Sequence, residues 1–297
     1  MRKMFEIEVE DAESGRKWEV FYPSSINQPK DHSVMFIGER YAEKIKDSLS
    51  VSQCIIFWPD SIPVTERIRE NNLVYIGRNP RLEYARFFRK HGLNNLPQTP
   101  EGTSVNGSFL ARDCVIGENV TIMPGAYVGE DVRIGNDVYI GCGVKITGRV
   151  SIGDHVTVRE NVSIGADGLS MEREADGRMI PIPQFGGVVI KNNVIIGANS
   201  VIARGAIDDT VIEEGCMIDN GCFISHNTRL MKNVAVVGES ILFGSVSVGE
   251  NSFISGNVTI RDGVKIGRDA LIGMGSVVTK DVESNCAVAG NPARVRY

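Results

Sequence analysis

The 297-residue sequence predicts an α/β N-terminal domain at residues 1–97, followed by an all-β parallel β-helix of hexapeptide repeats at residues 98–297. Two patterns support this division. Short apolar runs and helical segments alternate before residue 92, whereas large aliphatic residues recur at every sixth position from Leu110 onwards. A six-residue period with two inward positions fits flat, stacked coils better than a helix or a simple alternating strand.

The N-terminal domain contains five candidate strands and three candidate helices. The strands are apolar runs or apolar/polar alternations, at residues 5–9, 17–22, 34–37, 54–58 and 73–76. Short helices are expected at 41–48 and 64–70. Asn79-Pro80 predicts the start of a third helix, because Asn is a favourable N-cap and Pro is favoured at the first helical position; His91-Gly92 ends it. The polar stretch 94–102 is the expected linker.

The repeat fills most of the second domain. Its first run of large aliphatics is Leu110, Ile116, Ile122, Val128, Ile134, Ile140, Ile146, Ile152, Val158 and Ile164. The period resumes at Ile190, slips by four residues around 204–209, and then runs from Ile212 to Val278. An excursion at 166–187 interrupts it. Loops of this length are usually functional or disordered, and the Pro and Gly residues in its second half indicate a shaped loop.

Charge and apolar patterning exclude several classes of function. The net charge of -5 provides no electrostatic reason to expect nucleic acid or an anionic membrane as a partner. No segment approaches the roughly twenty apolar residues of a membrane span, and the N-terminus lacks the apolar run of a signal peptide. A cytoplasmic location is therefore expected.

The six cysteines are predicted to be free thiols, and no metal is expected. They form no Cys-x-x-Cys pair and no cysteine/histidine cluster with metal-ligand spacing. Cys114, Cys216 and Cys222 fall on small inward positions of the repeat, so packing is their expected role.

His226 is the strongest candidate for a catalytic residue. In the register of the repeat, Ile224 and Thr228 point inward, so His226 occupies an outward turn position. Neutral imidazole, whose unperturbed pKa is about 6.5, can accept a proton at neutral pH. The competing interpretation is a solvated turn histidine, which is the favoured one for His155, because His155 lacks comparable neighbours.

The repeats resemble the left-handed parallel β-helix of the hexapeptide acyltransferases, whose coils have three short faces and which form homotrimers. Within that superfamily several segments are similar to the N-acyltransferases of lipid A biosynthesis, which acylate the 2-amine of a UDP-glucosamine derivative. These segments are IPQFGGV at 182–188, IGAN at 196–199, RGAIDDT at 204–210, IDNGCFISHN at 218–227, and NPRLEYAR at 79–86, which resembles the interdomain helix.

The resemblance implies that His226 and Asp219 form a catalytic pair. His226 is the expected general base for attack of a sugar amine on a thioester, and Asp219 is expected to orient the imidazole ring and stabilise the imidazolium. Backbone N–H groups near Gly238 or Gly244 are candidate donors to the oxyanion. Further candidate substrate-binding residues are Asn220 and Asn227 beside this pair and Gln184 in the excursion, which is expected to shape the sugar pocket.

The N-terminal domain is expected to bind the nucleotide. The lipid A enzymes hold uracil with a Phe-x-x-Asn-Pro-Lys-Tyr pattern, and the corresponding stretch here is Met-Phe-Ile-Gly-Glu-Arg-Tyr at 35–41. Tyr41 keeps its place and Phe36 is one position off, so both UDP and dTDP remain open. Packing in the domain core is the alternative for Phe36.

The end of the sequence indicates the acyl donor. The lipid A enzymes end in a helical extension that engages acyl carrier protein, whereas residues 273–282 and 290–297 resemble acetyl-CoA-dependent sugar acetyltransferases. Asn257 stands where the lipid A enzymes have a further histidine, and can hydrogen-bond an acyl or pantetheine group. The predicted cofactor-binding residues are Asn257, Gly275, Lys280, Gly290, Asn291, Pro292 and Arg294.

The sequence thus predicts a homotrimeric, CoA-dependent N-acyltransferase, with acetyl-CoA as the expected donor, acting on a nucleotide-linked amino sugar for surface polysaccharide or lipopolysaccharide. The alternative within the class is a lipid A UDP-3-O-(3-hydroxyacyl)glucosamine N-acyltransferase that uses acyl carrier protein. From other classes, a hexapeptide carbonic anhydrase needs zinc-binding histidines, and only His155 and His226 lie in the repeats. A non-catalytic β-helix scaffold leaves His226 and the excursion unexplained.

Overall fold

The computed structural model describes residues 3–12, 14–93 and 100–296. The chain divides into two compact units. Unit 1 comprises Met1–Leu96 and Leu169–Phe185, and unit 2 comprises Pro97–Gly168 and Gly186–Tyr297. Most of the excursion therefore folds with the N-terminal unit, which differs from the sequence-based boundaries for that segment. The expected linker lies largely outside the described residues.

Unit 1 contains all the strands and helices expected in the N-terminal region. In chain order they are β1 (Ile7–Glu10), β2 (Lys17–Val20), β3 (Tyr22–Pro23), β4 (Ser33–Phe36), α1 (Glu39–Ile45), β5 (Ile55–Pro59), α2 (Glu66–Asn71), β6 (Leu73–Gly77) and α3 (Pro80–Lys90). Strands β3 to β6 form a parallel sheet in sequential order, and β1 and β2 form an antiparallel hairpin. The side chain of Asn79 accepts a hydrogen bond from the Leu82 N–H, so Asn79 caps α3 as predicted.

Short strands make up the regular structure of the rest of the chain. They are β7 (Gly102–Val105), β8 (Ser108–Ala111), β9 (Val115–Ile116), β10 (Thr121–Ile122), β11 (Tyr127–Val128), β12 (Val132–Ile134), β13 (Tyr139–Ile140), β14 (Lys145–Ile146), β15 (Val150–Ile152), β16 (Thr157–Val158), β17 (Ser163–Ile164), β18 (Met171–Arg173), β19 (Met179–Pro181), β20 (Val188–Ile190), β21 (Ile195–Ile196), β22 (Val201–Ile202), β23 (Thr210–Ile212), β24 (Met217–Ile218), β25 (Phe223–Ile224), β26 (Arg229–Leu230), β27 (Ala235–Val236), β28 (Ile241–Leu242), β29 (Ser247–Val248), β30 (Phe253–Ile254), β31 (Thr259–Ile260), β32 (Lys265–Ile266), β33 (Leu271–Ile272), β34 (Val277–Val278), β35 (Ala287–Ala289) and β36 (Arg294–Val295).

Unit 2 is a parallel β-helix whose coils have three faces. Face A contains β8, β11, β14, β17, β22, β25, β28, β31 and β34; face B contains β9, β12, β15, β20, β23, β26, β29 and β32; face C contains β10, β13, β16, β21, β24, β27, β30, β33 and β35. The chain passes from face A to B to C in each coil, and every strand pairs in parallel with the next member of its own face. The fold class predicted from the repeat is confirmed.

The periodic aliphatics form the core of unit 2. Ile140, Ile146 and Val158 are fully buried at the second position of their strands, and Val144 and Val162 fill the smaller inward position. Since burial of one such side chain contributes about 1.5 to 3 kcal/mol, the stacked columns supply the main stabilising term. Turns between faces repeatedly place Asn, Asp or Gly at a positive φ, a conformation that these residues tolerate best.

The excursion is a shaped loop, as expected. Strands β18 and β19 pair as an antiparallel hairpin. Within unit 1, Glu172 accepts hydrogen bonds from Arg81 Nη1 at 2.7 Å and Asn79 Nδ2 at 3.1 Å, and Glu174 pairs with Arg86. These pairs attach the hairpin to α3.

The cysteines are free thiols, as predicted. Cys216 and Cys222 are buried inside the coils, and Cys114 packs against the same core. Burial raises the pKa of the Cys216 thiol to about 11. The described residues include no helix long and apolar enough to span a membrane. They also contain no group of three or more His, Cys, Asp or Glu side chains suited to holding a metal ion.

Because the aliphatic side chains stack in columns, substitutions at neighbouring positions of one strand should differ strongly in their effect on the free energy of unfolding. Replacing buried Ile146 with Ala should lower the free energy of unfolding by about 2 to 5 kcal/mol, because the coils above and below cannot close the cavity. Replacing exposed Lys145 on the same strand should change it by less than about 0.5 kcal/mol. Urea denaturation followed by circular dichroism measures both, and equal effects would be incompatible with the stacked core.

Candidate functional site

His226 lies at the corner where the chain leaves strand β25 of face A and turns towards face B. Ile224 and Thr228 on either side of it are fully buried, whereas the imidazole is partly exposed. The outward turn position expected from the repeat is therefore the observed one. We call this position, and its equivalents in the coils above and below, the A–B corner.

The side chain of Asn227 holds the imidazole. His226 Nδ1 lies 3.1 Å from Asn227 Oδ1. Asn227 Oδ1 also accepts from the Ala206 N–H at 3.0 Å, and Asn227 Nδ2 donates to the Asp208 carbonyl oxygen at 2.9 Å, which fixes the orientation of the amide. Because an amide oxygen can only accept, this network assigns the proton of the neutral ring to Nδ1. The lone pair of Nε2 is then available to accept a proton.

Two glycines flank the imidazole ring. A Cβ atom added to Gly168 would lie 2.9 Å from His226 Cδ2, and one added to Gly244 would lie 2.5 Å from Cε1 and 2.6 Å from Nε2. Any larger residue at these positions would displace the ring. We call this space between the two glycines the imidazole slot; its Nε2 edge faces Gly244. Sequence reasoning missed Gly168, because its approach to His226 depends on how the excursion leaves the coil.

The hydrogen bonds and ion pairs seen among the described residues include none between Asp219 and His226. Asp219 follows strand β24 of face C, at the C–A corner, and its Oδ2 accepts a hydrogen bond from the Gly238 N–H at 3.1 Å. The two side chains project from successive corners, separated by the strand of face A between them. Within this chain the imidazole is hydrogen-bonded to Asn227, and the orienting role expected of Asp219 stays a prediction. An Asn directly after the histidine, at a corner that requires positive φ, is the sequence signal that could have indicated the contact with Asn227.

The other predicted residues of unit 2 also divide between the two corners. Lys280 follows β34 and shares the A–B corner with His226. Asn220 lies at the C–A corner, where its Oδ1 accepts from the Ala198 N–H at 2.7 Å and supports the turn. The remaining ones follow strands of face C; they are exposed Asn257 and Gly275, then Gly290 and the cis-linked Asn291 and Pro292. Arg294 is exposed in β36.

An open groove of 670 Å³ runs along the outside of face C next to Asp219. Its polar lining comprises Arg159, Glu160, Asp219 and Asn220, and its apolar lining includes Ile195, Met217 and Val237.

Within unit 1, Tyr41 is 44% exposed in the first turn of α1, directly beyond the carboxyl end of β4. Phe36 is partly buried, and its ring packs edge-on against buried Tyr84 at 5.1 Å between centroids, which is the core packing considered as its alternative. Gln184 is only 2% exposed, and its Nε2 donates to the Ile182 carbonyl oxygen at 3.1 Å. The structure therefore places Gln184 in the interior of unit 1.

Sequence comparison identifies the repeats. The family described as bacterial transferase hexapeptide (six repeats) matches residues 113–148, 133–166 and 245–280, and the hexapeptide repeat of succinyl-transferase matches 187–226. UDP-3-O-acylglucosamine N-acyltransferase from Caulobacter sp. strain K31 is 35% identical over 116 residues, which cover 39% of this chain and 34% of the relative. The same enzyme from Bordetella parapertussis is 38% identical over 109 residues, covering 37% and 29%. The chain thus spans about a third of the length of the relatives it matches.

Solved structures agree with this result. UDP-N-acetylglucosamine acyltransferase from Campylobacter jejuni has a TM-score of 0.58 and 28% identity, covering 64% of this chain and 72% of that one. The acyltransferase from Bacteroides fragilis has a TM-score of 0.59 at 21% identity, covering 65% and 74%, which supports the fold alone. The chain therefore carries bacterial transferase hexapeptide repeats in a left-handed β-helix and is similar to the UDP-3-O-acylglucosamine N-acyltransferases.

Proposed function

We propose that this protein is a CoA-dependent N-acyltransferase, with acetyl-CoA as the preferred donor, that acylates the amine of a nucleotide-linked amino sugar. The observation that carries the proposal is the held imidazole of His226. Its Nδ1 proton is held by Asn227, its Nε2 lies in a slot lined by glycine, and it lies in the segment 187–226 that matches the hexapeptide repeat of succinyl-transferase.

The reaction needs one general base and no protein nucleophile. The neutral amine attacks the thioester carbonyl carbon, so a C–N bond forms and the carbonyl oxygen becomes an oxyanion. His226 Nε2 accepts a proton from the attacking nitrogen. Collapse of the tetrahedral intermediate breaks the C–S bond, and the imidazolium returns the proton to the leaving thiolate. The products are the amide and CoA thiol, and His226 regains its neutral form.

The N–H of Gly244 is the better candidate for stabilising the oxyanion. The N–H of Gly238 already donates to Asp219. Gly244 lies directly beside Nε2, and the hydrogen bonds within the described residues include none donated by its N–H. A backbone donor fixed by the coil needs no reorganisation when charge develops, which is the main advantage of such sites.

Unit 1 is the proposed nucleotide-binding unit, and the base of the nucleotide is uracil or thymine. Ligands of parallel α/β sheets bind beyond the carboxyl ends of the strands, which is where Tyr41 is exposed. Tyr41 therefore remains a proposed contact to the base. Phe36, which packs on Tyr84, and the buried Gln184 would act indirectly, by shaping unit 1 from within.

A homotrimer would complete the site. His226 and Lys280 occupy the A–B corner, whereas Asp219, Asn220 and Asn257 occupy the C–A corner, so one chain does not bring the two sets together. From residue 223 onwards, most outward residues of faces A and C are apolar, whereas those of face B are polar; they include Phe223 and Ile241 on A, Phe253 and Leu271 on C, and Arg229, Ser247 and Lys265 on B. Packing A against C of the next chain is a heterologous contact that closes a ring under three-fold rotation.

The acyl donor would lie where the A–B corner of one chain meets the C–A corner of the next chain, close to His226. Asn257 and the backbone at Gly275 and Gly290 offer hydrogen bonds to pantetheine, and Asn291 and Pro292 shape the last turn. The exposed cations Lys280 and Arg294 would pair with the phosphates of CoA.

A second candidate is the lipid A enzyme that uses a hydroxyacyl group on acyl carrier protein. The similarity to UDP-3-O-acylglucosamine N-acyltransferases favours it. Both candidates share the acceptor chemistry and the proposed role of His226, so the donor distinguishes them.

An assay with paired donors tests the function. Purified protein, given UDP- or dTDP-linked amino sugars, should release thiol from acetyl-CoA faster than it consumes hydroxyacyl groups on acyl carrier protein. Replacing His226 with Ala should reduce kcat by at least about a hundredfold, since the general base is lost. The reverse donor preference would establish the second candidate, and near-full activity of H226A would remove His226 from the mechanism.

The hydrogen bond between His226 and Asn227 predicts how substitutions of Asn227 change the pH profile of kcat/KM. In Asn227→Asp the carboxylate still accepts from Nδ1–H but favours the protonated ring, so the acidic limb of the kcat/KM profile should move to higher pH. Asn227→Gly tolerates the positive φ but frees the ring, and should lower kcat by at least about tenfold. Unchanged profiles in both variants would show that Asn227 does not hold the base.

Mixed trimers test whether two chains share one site. His226→Ala and Asp219→Ala proteins are each expected to be nearly inactive. Unfolded together at equal amounts and refolded, they should recover roughly a quarter of wild-type activity, because one in four shared sites receives both intact residues. Activity no greater than the sum of the two single variants would place the whole site in one chain.

A further inference from the structure

Arg204 is a largely buried cation that the proposed reaction does not use. It lies in the four-residue slip between strands β22 and β23, and its side chain is only 17% exposed. Burial lowers the pKa of its guanidinium, and Asp167 partly offsets that effect. Because removing a charge from water costs free energy, a largely buried guanidinium needs hydrogen-bond or ionic partners, and those of Arg204 can be named.

Those partners lie at the two ends of the excursion, which we call its neck: residues 166–168 where the chain leaves the coil and 186–187 where it returns. The backbone N–H of Arg204 donates to the Ala166 carbonyl oxygen at 2.9 Å. Its Nε–H donates to the Gly186 carbonyl oxygen at 2.7 Å, and its Nη1 lies 3.8 Å from Asp167 Oδ1. One residue thus ties both ends of the neck.

The slip supplies a second tie on the returning side. Asp209 accepts from the Gly187 N–H at 2.7 Å and pairs with Arg149 through both carboxylate oxygens. This tie holds residue 187 but does not reach the departing end of the neck. Arg204 is therefore the side chain that joins the two ends.

The departing end of the neck forms one wall of the imidazole slot. Gly168 follows Asp167 directly, and its α-carbon lies so close to His226 that an added Cβ would lie within 3.2 Å of Cδ2, Cβ and Cγ of the histidine side chain. Asp167 is only partly paired, because its nearest cationic atom is 3.8 Å away, and burial raises the pKa of its carboxyl. The two residues before Gly168 are thus the ones that Arg204 meets, through its backbone N–H at Ala166 and its guanidinium near Asp167.

We propose that Arg204 is a positioning residue for acyl transfer: by closing the neck it sets the Gly168 wall and keeps His226 in the rotamer that donates Nδ1–H to Asn227. This inference rests on the proposed function only for its kinetic consequence. Its structural consequence, the tautomer of His226, can be measured without any substrate.

The geometry requires arginine in particular. The Nε–H and Nη1 groups project in a fixed plane, so one side chain can address Gly186 and Asp167 together. Gly148 leaves room for the guanidinium group of Arg204, because a Cβ atom on residue 148 would lie 2.9 Å from Nη1. Lysine keeps the charge but provides a single donor atom and cannot reproduce both contacts.

The test compares Arg204→Lys and Arg204→Gln with Gly168→Ala, which moves the wall directly, and with Arg133→Gln, an exposed arginine of face B, as the control. Nitrogen-15 chemical shifts of the His226 ring, assigned by the loss of its signals in H226A among the four histidines of the chain, report which ring nitrogen carries the proton. Thermal unfolding and trimer mass verify that each variant is folded.

We expect wild type and R133Q to hold the proton on Nδ1, and R204K, R204Q and G168A to show a substantial fraction on Nε2. With substrates, kcat should fall at least about tenfold in these three variants, while KM for acetyl-CoA stays within about twofold. If folded R204K and R204Q keep the wild-type tautomer, the proposal is overturned, whether or not the protein transfers acyl groups. If those two variants do not fold, a wild-type tautomer in G168A would overturn it. A displaced tautomer without any acyl transfer in wild type would support the positioning role and reject the proposed function.

Discussion

Stacking of aliphatic side chains from one coil onto the next is the constraint on which the rest of unit 2 depends. Residues such as Ile146 and Ile164 are fully buried only because equivalent positions of successive coils lie directly above one another. The same registration aligns the corner residues in columns. His226, Gly244 and Lys280 therefore share one corner, and the groups that surround the imidazole come from separate stretches of the sequence.

The strict repeat made most of this fold predictable. A period of six with two inward positions identifies the strands, the inward cysteines and the outward position of His226 from sequence alone. Contacts that depend on departures from the period were not predictable. The excursion folds with unit 1 through Glu172 and Glu174, and the departing end of its neck passes beside His226; neither follows from periodicity.

Asp219 and Asn227 show the same limit at the level of single side chains. Sequence resemblance identifies both Asp219 and His226 as candidate catalytic residues, but it does not show at which corner of the coil each one lies. In the structure Asp219 accepts a hydrogen bond from the Gly238 N–H, and Asn227 is the hydrogen-bond partner of the imidazole. A neutral amide fixes the tautomer of the ring as well as a carboxylate would, but it adds no negative charge to stabilise the imidazolium. The proposed base is thus held by a neutral hydrogen-bond partner, and we propose that Asp219 acts on the substrate side of a shared site.

The central claim is that Nε2 of His226 receives the proton of the attacking amine. A crystal structure of the protein with CoA and a UDP- or dTDP-linked amino sugar tests this most directly. We expect the sugar nitrogen at about 3 Å from His226 Nε2, with the sulfur of CoA on the Gly244 side of the ring. A bound amine that hydrogen-bonds a different side chain, with His226 facing solvent, would contradict it.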